Sequence, residues 1–279
     1  MLSKHLVKKL TVLGAVLGLF LGLSGPALPT AQAAPCGRAS GCTAFELVHA
    51  GASYDWYPVK HRYEFKGGRR APSEWHKAGR GKLYQQNGML TLVAPKGRAN
   101  SVRTIWTGVG YRQGRWEVRM RTARESAGNT DYRVVLSLVP MSKRQRHCGA
   151  QDIDFLDYTP KKAHTANFNI HTMPANRFAA REELKRKVGS DEWHEFAVEV
   201  TRTHISWFID AHVVRTEKRP AALSGRKYTM QAALVAQPRH KMNKTRVQLD
   251  WARYWTMKKK SSKSIKAPGT TRKRYADAC

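Results

Sequence analysis

Between about residues 45 and 257, apolar and polar residues alternate along much of the chain. A period of two marks a strand with one buried face. In RWEVRMR, Trp116, Val118 and Met120 face one way while Arg115, Glu117, Arg119 and Arg121 face the other, predicting a strand with a solvated polar side. The alternation returns in GMLTLVA from Gly88, HEFAVEVT from His194, HISWFID from His204 and VQLDWARYW from Val247, with turn residues between them. Only AAREELKRKV, from Ala179, has the residue types of a short helix. Many strands, few helices and no long repeat predict an all-β fold, an antiparallel β-sandwich occupying residues 34–257 as a single domain.

The two ends read differently. Lys4, Lys8 and Lys9 precede an apolar run from Leu10 to Leu23 and a Pro-broken stretch ending Ala31-Gln32-Ala33, the pattern of a signal peptide over residues 1–33 with cleavage after Ala33. The apolar run is shorter than the roughly 20 residues a bilayer span needs, so no transmembrane span is expected once the signal is removed. Export permits disulfides among Cys36, Cys42, Cys148 and Cys279. The close spacing of Cys36 and Cys42 favours a local loop and leaves Cys148 and Cys279 to pair or stay free. Residues 258–279 carry eight Lys and Arg against one Asp, predicting a mobile basic tail.

Charge narrows the partners. With 50 Lys and Arg against 20 Asp and Glu the formal net charge is +30, and loss of the signal removes three Lys and no acid. Such a field concentrates polyanions, which for an exported protein include anionic cell-wall polymers and polysaccharides. A specific nucleic-acid function is not expected, because no RNP, helix-turn-helix or finger signature accompanies the charge.

Against that background QDIDFLDY, residues 151–158, is unusual: three of the 20 acids fall within six positions. Asp152 and Asp154 share one strand face while Ile153 and Phe155 enter a core. Asp157 has the wrong parity, and a one-residue β-bulge near Phe155 or Leu156 would bring it onto the face of the other two. Calcium loops intersperse Gly and polar residues, whereas Ile153, Phe155 and Leu156 demand burial, so no metal or other cofactor is assigned to the ladder. Carboxylates placed side by side suit glycoside hydrolysis, in which one attacks or activates water and another protonates the leaving oxygen.

The stretch resembles the Glu-x-Asp-x-x-Glu signature of glycoside hydrolase family 16, the laminarinase, lichenase, agarase and carrageenase group, with Asp152, Asp154 and Asp157 on the acidic positions. YRQGRWEVRMR from Tyr111, EWHEFAVEV from Glu192, SWFIDAHVV from Ser206 and VQLDWARYW from Val247 are similar to family strands in the same order. The resemblance implies a concanavalin-like jelly roll binding sugar along one sheet face. It implies Asp152 as nucleophile or base, Asp157 as acid/base and Asp154 as the residue that poises Asp152. His171, in NFNIHT, is similar to a family histidine close to the acid/base.

The sequence departs from the family pattern at its chemical centre. Both glutamates are aspartates, each withdrawing its carboxyl by about 1.5 Å. Retaining enzymes hold their carboxyls about 5 to 5.5 Å apart and inverting ones about 6.5 to 9.5 Å, so the shortening bears on mechanism. Ser137 stands where the family has a sheet tryptophan, and QAALVAQP from Gln231 replaces a family Asn/Gly-rich stretch. Trp106, Tyr132 and Tyr158 are candidates to stack on sugar rings, with core packing as the alternative. Arg103 is a candidate to pair with an anionic sugar substituent. His194 reads as a structural histidine, since no triad partner lies near it in sequence.

Together these features lead to the expectation of a secreted, wall-associated glycoside hydrolase acting endo on an anionic extracellular or cell-wall polysaccharide. The alternative is a non-catalytic carbohydrate-binding or wall-binding protein on the same fold.

Overall fold

The computed structural model describes residues 49–146, 151–162, 164–173, 175–185, 187–259 and 263–274. The expected signal peptide, its cleavage point and all four cysteines lie outside the described residues. In chain order the elements are a one-turn helix α1 (Ala50–Ser53), then β1 (Val59–Glu64), β2 (Trp75–Gly79), β3 (Lys82–Gln86), β4 (Met89–Ala94), β5 (Gly97–Arg98), β6 (Val102–Trp106), β7 (Gly114–Arg124), β8 (Arg133–Pro140) and β9 (Ile153–Tyr158). They continue with β10 (Thr165–Thr172), β11 (Asn176–Glu183), β12 (His194–Val200), β13 (Ile205–Ile209), β14 (His212–Glu217), β15 (Tyr228–Val235), β16 (Lys241–Met242), β17 (Thr245–Trp255) and β18 (Thr271–Arg274). No helix among the described residues is long and apolar enough to cross a membrane.

Two antiparallel sheets pack face to face. One, the site sheet, runs β18-β11-β10-β9-β8-β15-β6-β2. The other, the back sheet, runs β14-β13-β12-β7-β17-β4-β3, with β1 also paired to β17. The period-two pattern is realised as read: Trp116, Val118 and Met120 of β7, Phe196 and Val198 of β12 and Val247 and Leu249 of β17 are buried from the back sheet. Leu136 and Leu138 of β8, Ile153 and Phe155 of β9 and Phe168 and Ile170 of β10 meet them from the site sheet. Trp207 of β13 spans the core, its indole N–H donating to the Asp154 carbonyl at 3.1 Å. The back sheet is thereby tied to the strand that carries the acids.

The sequence pattern misplaces three features. AAREELKRKV is no helix: Ala179 to Glu183 belong to β11, which pairs with β10 on one side and β18 on the other. Phe178 is buried, and Ala180 and Leu184 pack on the core from the same side, so two ladders and an apolar face override helix propensity. The side of β7 expected to be solvated is covered over its first half, with Arg115 and Glu117 fully buried, while Arg119 and Arg121 remain part-exposed. Glu117 accepts from the backbone N–H groups of Ala50 (2.6 Å) and Gly51 (3.1 Å), so the α1 segment caps this face. The basic segment expected to be mobile instead supplies β18, which adds to the edge of the site sheet.

Candidate active site

The three aspartates reach one face by the irregularity expected from their spacing. Across β8 the register runs Leu136 opposite Leu156, then Ser137 opposite Asp154. Across β10 it runs Asn167 opposite Asp157, then Asn169 opposite Asp154. Three residues of β9 (154–156) therefore oppose two of β8, and four (154–157) oppose three of β10, so β9 carries one extra residue against each neighbour, and Phe155 and Leu156 both turn into the core. Cross-strand partners share a face, so the outward side of the site sheet shows three rows. Ser137, Asp154, Asn169, Ala179 and Thr271 form the middle row. Val135, Asp157, Asn167 and Arg181 lie to one side, and His171, Arg177 and Lys273 to the other, where His171 N–H donates to the Asp152 carbonyl.

Each aspartate has a different environment. Asp152 accepts from His171 Nδ1 at 2.5 Å, and its side chain is 22% exposed, which leaves it open to a ligand. Asp154 is buried beneath it, accepting from Ser137 Oγ at 2.7 Å and from Asn169 Nδ2 at 3.2 Å. Burial, then the charge of Asp152, push the Asp154 carboxyl up to about 7, against the Ser137 hydrogen bond that opposes the shift. Burial alone would depress His171, but the hydrogen bond and charge of Asp152 outweigh it and raise the imidazole above its ordinary value. The contact with Asp152 thus favours the charged form of the His171 imidazole, above a buried carboxyl whose own titration is shifted toward neutral pH.

Asp157 is held differently. Arg133 donates to both of its oxygens, Nε to Oδ1 at 3.1 Å and Nη2 to Oδ2 at 2.5 Å. A guanidinium bonded to both oxygens favours the carboxylate over the acid form that could deliver a proton. Nothing local to either strand signals this pairing, although Arg133 has the parity of Val135 and Ser137 on β8.

The other expected site residues divide cleanly. Arg103 is exposed and lies opposite Ala233 of β15, which lies opposite Val135, so it shares the open face with the acids. His171 is on that face but beside Asp152, four residues along β10 from the position opposite Asp157. The three aromatics are not stacking platforms. Trp106 is buried against Trp75 with ring planes 9° apart. Tyr132 is buried and donates its hydroxyl to Pro95 O, and Tyr158 does the same to Val188 O. Tyr158 follows Asp157 on the strand, so its parity sends it to the core. His194 is structural, bonded to Asp210 and to Lys187 O.

Several contributors escaped the sequence reading. Asn169 supports Asp154 and is itself oriented by Arg177, whose Nε and Nη2 donate to Asn169 Oδ1 at 2.9 and 2.5 Å. Arg226 Nε donates to Gln151 Oε1 at 2.9 Å beside Asp152. The alternation Asn167, Asn169, His171 in NFNIHT was the available signal, since it puts three polar residues on one face of a strand. Asp152, Asp154 and His171 could each offer one atom to a cation, all within 4.8 Å of one another. Those groups already bond one another or Ser137 and Asn169, so their arrangement is accounted for without a metal.

A β-sandwich with a bulged, carboxylate-bearing central strand facing outward defines a glycosidase-type scaffold. Residues 72–253 match the model of Glycosyl hydrolases family 16, and the chain belongs to that family. Similar solved structures include the catalytic domain of an endo-1,3-beta-glucanase (laminarinase) from Thermotoga petrophila, with 13% identity, 72% of this chain and 98% of that one covered, and a TM-score of 0.60. The GlcNAcα1-4Gal-releasing endo-β-galactosidase from Clostridium perfringens is 14% identical, with 80% of this chain and 66% of that one covered and a TM-score of 0.55. A Bacillus licheniformis beta-glucanase is 14% identical, with 70% and 97% covered and a TM-score of 0.51. No curated protein matches the sequence.

Proposed function

We propose that the chain is an exported glycoside hydrolase that cleaves an anionic extracellular or cell-wall polysaccharide at internal bonds, without a cofactor. The observation that carries this reading is the bulge in β9, which gathers Asp152, Asp154 and Asp157 on one open face. Asp152 is the nucleophile or base, being the accessible acid with an oxygen beyond the one bound to His171. Asp154 poises it through their shared charge. Asp157 is the acid/base, and it serves only when Arg133 leaves it. An oxyanion on the sugar is the natural competitor for that guanidinium, which supports an anionic substrate. Arg103 and the basic surface favour the same ligands and retention on the wall, and the 1–33 pattern supports export.

The Arg133–Asp157 ion pair also favours a second reading, a carbohydrate-binding protein that has lost catalysis. Incubating the mature protein with neutral, uronate-bearing and sulfated polysaccharides, while following new reducing ends and binding, separates the two. Reducing ends released from an anionic polymer support the hydrolase. Binding without release from any polymer replaces it with the binding protein.

A further inference from the structure

Within the basic segment read from sequence as a mobile arm, Thr271–Arg274 are instead built into the sheet. Its root is fixed by buried polar contacts: Arg115, paired with Glu199 at 2.6 Å, also donates to Lys259 O at 2.5 Å. Ser264 Oγ donates to Glu199 Oε1 at 2.6 Å, and Ser264 O accepts from Ser206 Oγ (2.8 Å) and Thr216 Oγ1 (2.6 Å). Nearer the strand, Thr216 N–H donates to Pro268 O at 2.9 Å and Arg219 Nη2 to Thr270 O at 2.7 Å. The Thr270 hydroxyl donates to Glu217. Thr271 to Arg274 then pair residue by residue with Ala179 back to Asn176.

The register gives this order a purpose. Lys273 lies opposite Arg177, which lies opposite His171, the partner of Asp152. At about 4.8 Å per strand, Lys273 stands roughly 14 Å across the sheet from Asp152. A polymer lying over Asp152 and crossing the strands would therefore present a different sugar residue there. Lys273 is exposed and forms no ion pair with another described residue, and the Arg177 guanidinium bonds a neutral amide, not an acid. Two cations on one face, on neighbouring strands and without a compensating carboxylate, are what an oxyanion substituent needs.

We propose that β18 forms a cationic subsite in which Lys273 and Arg177 receive an oxyanion substituent, a carboxylate or a sulfate ester, of a polysaccharide bound across the site sheet. The subsite rests on the anionic-ligand reading above but not on catalysis, and it makes Lys273 a specificity-determining residue.

The test compares the mature protein with Lys273→Glu and Lys273→Gln, and with Lys60→Glu on β1 of the back sheet, which changes net charge as Lys273→Glu does. Affinity electrophoresis against polygalacturonate, dextran sulfate and neutral laminarin reads binding. A loss of about tenfold in affinity for one or both anionic polymers is expected in Lys273→Glu, with a smaller loss in Lys273→Gln. Lys60→Glu should change little, and melting temperatures should stay near the parent's. Preference between the two anionic polymers identifies the oxyanion. Equal losses in Lys60→Glu and Lys273→Glu would reduce the effect to the general field and overturn the subsite. Unchanged affinity in Lys273→Glu, with the parent binding well, overturns the subsite alone. A parent that binds neither anionic polymer overturns the anionic-ligand reading, and the subsite with it.

Discussion

Arg133 grips both carboxylate oxygens of Asp157, with Nη2 2.5 Å from Oδ2 and Nε 3.1 Å from Oδ1. The residue in the acid/base position of the family pattern therefore rests as an acceptor. Its partner comes from the adjacent strand β8, and the Arg133 side chain is 44% exposed, within reach of a ligand on the open face.

Replacing Arg133 with Gln should release Asp157 and raise hydrolysis near neutral pH by at least about tenfold, a fraction of the 10²–10⁴ that a positioned general acid supplies. Preference for anionic over neutral polymers should fall in the same variant. Initial rates on both classes of polymer check this, and a slower variant on every substrate would remove Asp157 from the acid role.

Asp152→Asn and Asp157→Asn should each abolish release of reducing ends while leaving the melting temperature within a few degrees of the parent, because an amide neither attacks nor donates the required proton. Residual turnover close to the parent's in either variant would show that the chemistry lies elsewhere.

Asp154 predicts a pH-dependent stability difference. Its folded carboxyl titrates at about 7 instead of 3.8, so the folded chain keeps a proton that the unfolded chain has released between those values. The group's contribution is fully present below the lower value and is lost as pH rises through the higher one. Asp154→Asn should thus be more stable than the parent at pH 8, by on the order of 2–4 kcal/mol, and lose that advantage near pH 3. Denaturant unfolding at the two pH values measures it.

Glu217 predicts the opposite trend for the segment leading into β18. Burial works to raise its carboxyl, but hydrogen bonds from Arg219 and Thr270 prevail and bring it down to about 2 from 4.5. Its stabilisation is present above the higher value and lost as pH falls through the lower one. Glu217→Gln should expose residues 266–274 to a Lys/Arg-directed protease about tenfold faster at pH 7. In the parent, amide protection over the same residues should decline between pH 5 and 2.

What the sequence displays depends on how local the cause is. The bulge was legible because Ile153, Phe155 and Leu156 had to be buried while three neighbouring acids could not all be, and only an extra residue reconciles those demands. The aromatics were harder: Tyr158 could be placed by parity, whereas Trp106 and Tyr132 depend on which sheet face meets the other. Ala179 to Glu183 misled because Ala, Arg and Glu favour a helix in isolation, and the two strands flanking β11 come from distant parts of the chain. The Arg133–Asp157 and Asp152–His171 pairs join neighbouring strands in a register that no single segment encodes.

The added strand also changes what the sheet shows to other molecules. Without β18, β11 would end the site sheet with a row of unpaired N–H and C=O groups, a template on which a second extended chain can assemble. With it, the outermost segment reads Thr-Arg-Lys-Arg, with every residue exposed and three of the four cationic. A second copy approaching that border meets like charge at three of its four residues. The segment that extends the ligand face thus also ends the sheet in a cationic edge, which is expected to disfavour pairing with a second copy.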